Sequence, residues 1–267
     1  MRPRKRFGQH FLNHRAILDR IAEALAPGRG DLVLEIGPGK GALTEALASR
    51  GARIVAIEKD RDLVPLVRDR VPGARIVEGD ALTLDWRDVS GAGPDEPLLV
   101  TGNIPYNITT PLLDRALAPP RPARIVFLVQ KEVADRIAAP PGNKVYGALS
   151  VGIQSVARIE KLFTVPAGAF VPPPKVDSAV IRLVPLERPL VPEAWLRAFR
   201  ILVVGLFGYR RKQLVRGLRE LTGWPAERVT AVLHRVGIAP ALRPEMAAPE
   251  DFSRLLAVLI DEGWHPD

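Results

Sequence analysis

Residues 32–41 read LVLEIGPGKG, a short apolar run that ends in a turn with glycine at alternate positions. The run 32–36 has the length and composition of a buried strand, and the apolar spacing after Gly41 is that of a helix. Glycine adopts left-handed backbone conformations without strain, so the turn can bring a ligand close to the amides that begin a helix. The segment therefore predicts a strand, a glycine turn and a helix, with a ligand at the turn.

Strands and helices are predicted to alternate around this unit. Apolar runs indicate strands at 54–57, 75–77, 98–101 and 125–129, and helical spacing lies between them at 60–70 and 110–117. Such alternation is typical of a parallel, doubly wound α/β sheet. Two later runs, 158–163 and 179–183, predict an antiparallel pair near its end.

A proline-rich segment divides the chain. Residues 184–192, VPLERPLVP, contain three prolines and interrupt both periodicities. We therefore predict an α/β domain over 1–187, which begins with a basic segment at 1–12, and a small all-helical domain over 188–267. Apolar residues at helical spacing support several short helices in this second domain.

Composition excludes several classes of function. The 267 residues include no cysteine, and no apolar run approaches the length of a membrane span. We expect no disulfide, no thiolate metal site, and a cytoplasmic location. His10 and His14 are four residues apart, but no third ligand is near them, so no metal site is predicted.

Positive charge is concentrated in two segments of a chain whose formal net charge is +8. Residues 1–15 and 197–219 contain no acidic residue. Phosphate groups of a nucleic acid are the commonest partner of such surfaces, ahead of an anionic membrane or an ordinary solvated face. The predicted RNA-binding residues are Arg4, Lys5, Arg6, Arg210, Arg211 and Lys212.

Two carboxylates follow predicted strands at the edge where the glycine turn lies. Glu58 ends the second strand, where a carboxylate can accept hydrogen bonds from ribose hydroxyls, and Asp80 follows the third, where it could accept from an adenine amine. The alternatives are a surface acid at 58 and a helix cap at 80. The glycine spacing is G-x-G-x-G, not the G-x-G-x-x-G of dinucleotide enzymes. We therefore favour S-adenosyl-L-methionine as the cofactor.

The segment Asn103-Ile104-Pro105-Tyr106 follows the fourth predicted strand at the same edge. An adenine N6 amine is a poor nucleophile because its lone pair is delocalised into the ring. The Asn103 side-chain oxygen and the Ile104 carbonyl, held by Pro105, can accept its two hydrogens, and Tyr106 offers a ring for an extruded base. The alternative is a plain turn with a core tyrosine.

Phe170 begins a loop, 170–178, that three prolines stiffen. Its ring could cover the opposite face of the base, which would complete the predicted catalytic group. The alternative is that Phe170 only anchors the loop in the core.

Six motifs together resemble one known family. They are RKRFGQHFL at 4–12, LEIGPGKG at 34–41, GDAL at 79–82, GNIPYNITTP at 102–111, VQKEVADRI at 129–137 and FVPPPKVDSAV at 170–180. As an ordered set they are similar to the ribosomal RNA adenine dimethyltransferases, and most of all to the bacterial small-subunit branch. The resemblance implies a Rossmann-like class I methyltransferase domain with a small helical domain after it.

The resemblance also implies a reaction and its ligands. It implies N6 dimethylation of two adjacent adenosines in the 3′-terminal hairpin of 16S ribosomal RNA, in the small subunit or its precursor. Nothing in the sequence requires more than a monomer, which is the expected state. Implied S-adenosyl-L-methionine contacts come from His10, Leu12, Gly37, Glu58, Asp80 and Asn103. The family usually has asparagine at position 10, so a backbone contact from His10 would be kept and a side-chain contact would change.

Three alternatives are compared with this expectation. One is a 23S methyltransferase of the macrolide-resistance type, against which the wording of 129–137 and 170–180 argues. A second is a non-catalytic ribosome-assembly factor on the same fold, against which an intact 103–106 segment argues. A third is a DNA adenine methyltransferase, which the resemblance disfavours because it includes no DNA-reading module.

Overall fold

A computed structural model describes residues 9–266 of the chain, which form two compact units. The first unit runs to Ala134 and includes Glu160–Pro185, and the second contains Asp135–Ile159 and the chain from Leu186 onward. The chain leaves the first unit for the last time after Pro185, two residues before the predicted boundary after residue 187. Residues 135–159, which the prediction assigned to the first domain, pack with the helical unit because Tyr146 and Val151 are buried in its core.

Alternating strands and helices extend from the first described residues to Pro185. The strands are β1 (Phe11–Leu12), β2 (Leu32–Ile36), β3 (Arg53–Glu58), β4 (Arg75–Glu78), β5 (Leu98–Asn103), β6 (Arg124–Gln130), β7 (Ala157–Val165), β8 (Phe170–Val171) and β9 (Ser178–Pro185). The helices are α1 (Arg15–Leu25), α2 (Ala42–Ala48), α3 (Val64–Arg70), α4 (Trp86–Ser90), α5 (Thr109–Ala116), α6 (Lys131–Ile137) and α7 (Ala148–Gln154).

Seven strands form one sheet in the order β4-β3-β2-β5-β6-β9-β7. The neighbours from β4 to β6 are parallel, and β9 runs antiparallel to β6. This confirms the predicted doubly wound α/β sheet. The order of strands reverses at β2 and β5, and the carboxyl ends of such strands form the crevice where α/β proteins bind ligands.

The close packing of β2 and β5 depends on a glycine. Every residue of β2 is buried, and Gly102 lies opposite Ile36 in the neighbouring strand. A Cβ atom at position 102 would lie 2.4 Å from the Ile36 carbonyl oxygen, far inside van der Waals contact. Glycine therefore allows the two strands that flank the crevice to approach each other.

A second, two-stranded sheet joins distant parts of the first unit. β1 pairs antiparallel with β8, with Phe11 opposite Val171 and Leu12 opposite Phe170. This pairing was not predicted from the sequence. The pairing ties the residues before α1 to the loop 170–178, called the proline-rich loop below.

The second unit contains α7 and four later helices. These are α8 (Leu196–Gly208), α9 (Leu214–Thr222), α10 (Ala226–Arg235) and α11 (Pro249–Asp261). Their apolar faces meet in one buried cluster, in which α8 contributes Phe199, Leu202 and Leu206. Within residues 9–266, no helix is both long and apolar enough to cross a bilayer.

Candidate active site

The glycine turn after β2 has the backbone conformation that its sequence predicts. Gly37, Gly39 and Gly41 have φ of +67°, +60° and +78°, a region that other residues rarely adopt. The Gly37 N–H donates to the Ile57 carbonyl oxygen at 2.9 Å, which holds the turn against the end of β3. A Cβ atom on Gly39 would lie 3.0 Å from the Phe11 ring, so the turn and β1 are in close contact.

Glu58 lies beside this turn and is only 5% exposed. One carboxylate oxygen accepts from the Gly39 N–H at 3.1 Å and the other from the Asp60 N–H at 2.8 Å. Burial raises the pKa of the Glu58 carboxyl, and these two backbone hydrogen bonds partly oppose the rise. Each oxygen retains a second lone pair that can accept from a ligand hydroxyl.

Asp80 lies after β4 and forms a different kind of contact. Lys59 Nζ donates to its Oδ2 atom at 2.5 Å, and the Leu82 N–H donates to Oδ1 at 3.0 Å. The hydrogen bond from Lys59 holds the pKa of Asp80 below its ordinary value. Asp80 is therefore an ionised acceptor, and it lines the same cavity as Glu58.

The orientation of Asn103 is fixed by the N-terminal segment. Its Nδ2 atom donates to the main-chain carbonyl of His10 at 2.7 Å. Because a carbonyl only accepts, the amide nitrogen faces His10 and the Oδ1 oxygen is directed elsewhere. The next residue, Ile104, is buried, and its N–H donates to the Leu128 carbonyl at 3.0 Å. The predicted acceptor pair is thus held by backbone contacts on both sides.

Tyr106 and His10 form an aromatic pair at this site. Their ring centroids are 5.8 Å apart and their planes differ by 25°. The Tyr106 hydroxyl is hydrogen-bonded to Ser178 Oγ at 2.8 Å, and burial raises the pKa of Tyr106. His10 Nδ1 donates to the Pro172 carbonyl at 2.8 Å, since that carbonyl can only accept. The two rings are therefore fixed by the proline-rich loop and β9.

These groups surround one cavity of about 150 Å³ at the carboxyl edge of the sheet. Eight of the predicted site residues line it: His10, Gly37, Glu58, Asp80, Asn103, Ile104, Pro105 and Tyr106. The fold therefore brings together a glycine turn, two carboxylates and the 103–106 segment. Among residues 9–266, no cluster of three or more His, Asp or Glu side chains could hold a metal ion.

Two predicted site residues lie in the core instead. Leu12 is 6% exposed and Phe170 is 2% exposed, and both pack in the apolar cluster under the sheet. Because they face each other across the β1–β8 pair, their side chains fasten this pair to the core. The structure corrects the expectation that the Phe170 ring covers a bound base. Leu12, although buried, lines a small cavity together with Gly37 and Asn103, and its contact with the cofactor stays a prediction.

The predicted RNA-binding residues have different environments. Arg4, Lys5 and Arg6 lie outside the described residues. In the second unit, Arg210 forms an ion pair with Glu245 at 2.7 Å and donates to the Lys144 carbonyl at 2.6 Å. Arg211 and Lys212 are exposed, and neither forms an ion pair with a described residue. The Arg210 side chain therefore stabilises the fold of the second unit, whereas the charges of Arg211 and Lys212 are not neutralised by a described residue.

Sequence reasoning missed several residues of the cavity. Gln9 lines it and donates to Asp60 at 2.9 Å. Lys59 also lines it, and its place next to Glu58 in the chain was the signal for it. Glu35 lines a smaller cavity with Gly37 and Asn103, and no role was predicted for it beyond its place in the strand. It is 1% exposed, burial raises its pKa to about 7, and its Oε2 atom has no hydrogen-bond partner among the described residues.

Comparison with known proteins assigns the chain to a family. A family model described as ribosomal RNA adenine dimethylase matches residues 1–261. The chain belongs to this family. Membership confirms the family and the enzyme class that the six motifs predict.

Similar proteins of this family match along nearly their whole length. The ribosomal RNA small subunit methyltransferase A of Bordetella petrii is 43% identical over 269 residues, covering 98% of this chain and 97% of its own. The protein of the same name from Geobacter sulfurreducens is 42% identical over 268 residues, with coverages of 98% and 97%.

Two solved structures are similar to this protein over nearly its whole length. A dimethyladenosine transferase from Plasmodium falciparum has a TM-score of 0.82 and 26% identity, and the match covers 95% of this chain and 98% of that one. The 23S rRNA methyltransferase ErmE has a TM-score of 0.71 and 30% identity, with coverages of 94% and 99%.

Proposed function

We propose that this protein transfers methyl groups from S-adenosyl-L-methionine to the N6 amines of adenosines in small-subunit ribosomal RNA. The finer proposal is dimethylation of two adjacent adenosines in the 3′-terminal hairpin of 16S RNA. The observation that carries it is the orientation of Asn103, whose side-chain oxygen is directed away from His10 beside the cavity formed by the glycine turn and Glu58.

The residues present fit this cofactor. Buried Glu58 offers lone pairs to two ribose hydroxyls, and the positive φ of Gly37 and Gly39 keeps side chains out of the turn. The Oε2 atom of Glu35 is a second feature, because a buried carboxylate oxygen without a hydrogen-bond partner among the described residues suits a cation such as the cofactor's ammonium group. Gly37, Glu35 and Asn103 also line one small cavity next to the main one.

The residues around the target amine act by position. The cofactor supplies a methyl group on a positively charged sulfur. Asn103 Oδ1 and the Ile104 carbonyl accept the two N6 hydrogens, which turns the nitrogen lone pair out of conjugation with the ring. Tyr106 supports the base by stacking, and its bond to Ser178 fixes the ring. Each transfer releases one N6 hydrogen as a proton, and no strong base is needed once the amine is aligned.

The small subunit is favoured over the large subunit by the comparisons of sequence. The relatives named for the small subunit are 42–43% identical to this chain over nearly its whole length, and the wording of 129–137 and 170–180 argues against the 23S type. Ribosomal RNA as the substrate agrees with a cytoplasmic location and needs no membrane partner. That the protein acts as a monomer stays a prediction.

Methyl transfer to isolated ribosomal subunits tests the proposal. Under-methylated small subunits and, separately, large subunits are incubated with labelled S-adenosyl-L-methionine, and the modified nucleoside is identified by mass spectrometry. We expect dimethyladenosine in small-subunit RNA only. Label in large-subunit RNA would assign the chain to the 23S type, and RNA binding without any label would favour an assembly factor.

A further inference from the structure

A groove on the helical unit is lined by charged and aromatic residues to which the proposed function assigns no role. It lies along α9 and the turn after it, has a volume of about 480 Å³, and is lined by Arg216, Arg219, Glu220 and Trp224, among others. All of these lining residues belong to the second unit, so the groove is separate from the cofactor cavity.

The ion pairs of this unit divide its arginines into two groups. The arginines of α10 and α11 are neutralised, since Arg235 pairs with Asp261 at 2.7 Å and Arg254 with Asp251 at 2.5 Å. By contrast, Arg216 and Arg219 are exposed, and no described residue forms a hydrogen bond or ion pair with either guanidinium. The groove therefore carries two guanidinium groups without an ion-pair partner among the described residues, and the Glu220 carboxylate in its lining leaves it a net charge of +1.

These two arginines are on the same face of one helix. They are three residues apart in α9, a spacing that places side chains next to each other along a helix. The opposite face is fixed in the core through Leu214, Gly217 and Leu218. The two guanidinium groups are thus displayed side by side on a helix whose other face is fixed in the core, and a guanidinium suits phosphate geometry.

Trp224 adds an aromatic surface beside these charges. It follows Gly223, whose left-handed conformation ends α9, and it is partly exposed. The Arg228 guanidinium lies 3.8 Å from the centroid of its ring, and Arg228 Nη2 donates to the Glu262 carbonyl at 2.6 Å. One face of the indole is therefore covered by an anchored cation, and the ring also lines the groove.

We propose that this groove binds an unpaired nucleotide of single-stranded RNA, with the base against Trp224 and flanking phosphates on Arg216 and Arg219. Aromatic rings that take bases and cations that follow the backbone are the two elements of single-strand binding sites. The proposal rests on the proposed function for the RNA that would occupy the groove, and it adds a contact far in the sequence from the catalytic segment.

Direct binding of a labelled decauridylate to the full-length protein tests the groove. Uridine has no N6 amine, so the oligonucleotide does not mimic the methylated base. Fluorescence anisotropy is measured across a range of salt concentrations. The double variant Arg216→Gln/Arg219→Gln should lower the slope of log K against log salt by about 1.4, at about 0.7 per lost phosphate contact. The matched control Arg235→Gln/Arg254→Gln removes the same charge from paired positions and should leave the slope nearly unchanged. Equal slopes in the two double variants would overturn the phosphate contacts.

The base contact has its own test. Trp224→Leu should weaken decauridylate binding by about 5- to 150-fold, the usual effect of losing one stacked base. Trp224→Phe keeps a ring and is the safer variant for folding. It should bind within a fewfold of the wild type but lose the quenching of tryptophan fluorescence that uridylate causes. Unchanged quenching in Trp224→Phe, or equal binding of an abasic phosphodiester strand, would overturn the stacking role.

The two proposals fail in different ways. If the proposed function is wrong, small subunits are not methylated although decauridylate binding still depends on Trp224. If the groove proposal is wrong, small subunits are methylated and the Arg216→Gln/Arg219→Gln variant has the KM of the wild type. Where both hold, KM for small subunits rises in that variant while kcat is unchanged.

Discussion

The side-chain amide of Asn103 donates to the carbonyl oxygen of His10 at 2.7 Å, across 93 residues of sequence. This bond determines which end of the amide faces the cavity, since the nitrogen is used by His10 and the oxygen is not. The chemistry assigned to Asn103 therefore depends on a segment that precedes the first helix.

Replacing Asn103 should separate catalysis from cofactor binding. In Asn103→Ala we expect methyl transfer to small subunits to fall by about 10²- to 10³-fold, the usual cost of losing one preorganised polar group at a reacting centre. The dissociation constant for S-adenosyl-L-methionine, measured by calorimetry, should change much less. Asn13→Ala is the control, because Asn13 is an exposed asparagine outside the cavity. Full activity in Asn103→Ala would remove this residue from the mechanism.

Replacing Glu58 should act on the cofactor. Glu58→Ala removes a buried acceptor, and we expect the dissociation constant for S-adenosyl-L-methionine to rise by about 10- to 100-fold, as for a lost hydrogen bond to a charged group. Glu78 lies opposite Glu58 on the neighbouring strand and is exposed, so Glu78→Ala is a matched control. Equal affinity in the two variants would contradict the assignment of the ribose contact to Glu58.

The buried carboxyl of Glu35 predicts a pH dependence of stability. Folding raises its pKa from 4.5 to about 7, so the folded state favours the protonated form. The contribution of this carboxyl to the free energy of unfolding is then largest below pH 4.5, falls as the pH rises to about 7, and is constant above it. The loss from this group is about 3 kcal/mol at 1.4 kcal/mol per unit.

Urea denaturation of Glu35→Gln without cofactor checks this expectation. Since glutamine does not ionise, the variant should be more stable than the wild type at pH 8, and the difference should narrow as the pH falls toward 4.5. Glu78→Gln, at an exposed position, should follow the wild-type profile throughout. A constant difference between Glu35→Gln and the wild type at all pH values would show that Glu35 does not titrate in this range.

The two neighbouring arginines of the basic segment should behave differently. Arg210→Gln breaks the pair with Glu245 and should lower the free energy of unfolding of the helical unit by about 1 kcal/mol. Arg211→Gln should leave unfolding unchanged but weaken RNA binding and lower its salt slope by about 0.7–0.9. Urea denaturation and RNA titrations at several salt concentrations separate the two effects. The reverse pattern would show that Arg210 is the RNA contact.

Local patterns in the sequence were sufficient for much of the fold and site. Helical and strand periodicities depend only on nearby residues, so the strands predicted at 54–57, 98–101 and 125–129 lie within two residues of β3, β5 and β6. Glu58, Asp80 and Asn103 each end or follow a parallel strand, and the carboxyl ends of such strands share one edge. Position after a strand was therefore enough to bring them together.

Long-range contacts could not be predicted from these patterns. The pairing of Leu12 with Phe170 involves strands of two residues each, which are too short to show a period. For this reason Phe170 was predicted to lie in the site, whereas its ring is in the core. Likewise, the neutralisation of Arg210 by a residue 35 positions later is a tertiary contact that charge counting does not detect. Helix α4 was missed because five residues are fewer than two turns.

The β1–β8 pair determines how much of the chain must be translated before the cavity beside His10 is complete. Phe11 and Leu12 are made early, but their partners, Phe170 and Val171, are among the last residues of the first unit to be translated. Contacts of such large sequence separation form late in folding. A nascent chain that already contains the glycine turn and the 103–106 segment therefore still lacks the strand that fastens His10 over them. Methylation can begin only after that strand has left the ribosome that makes it.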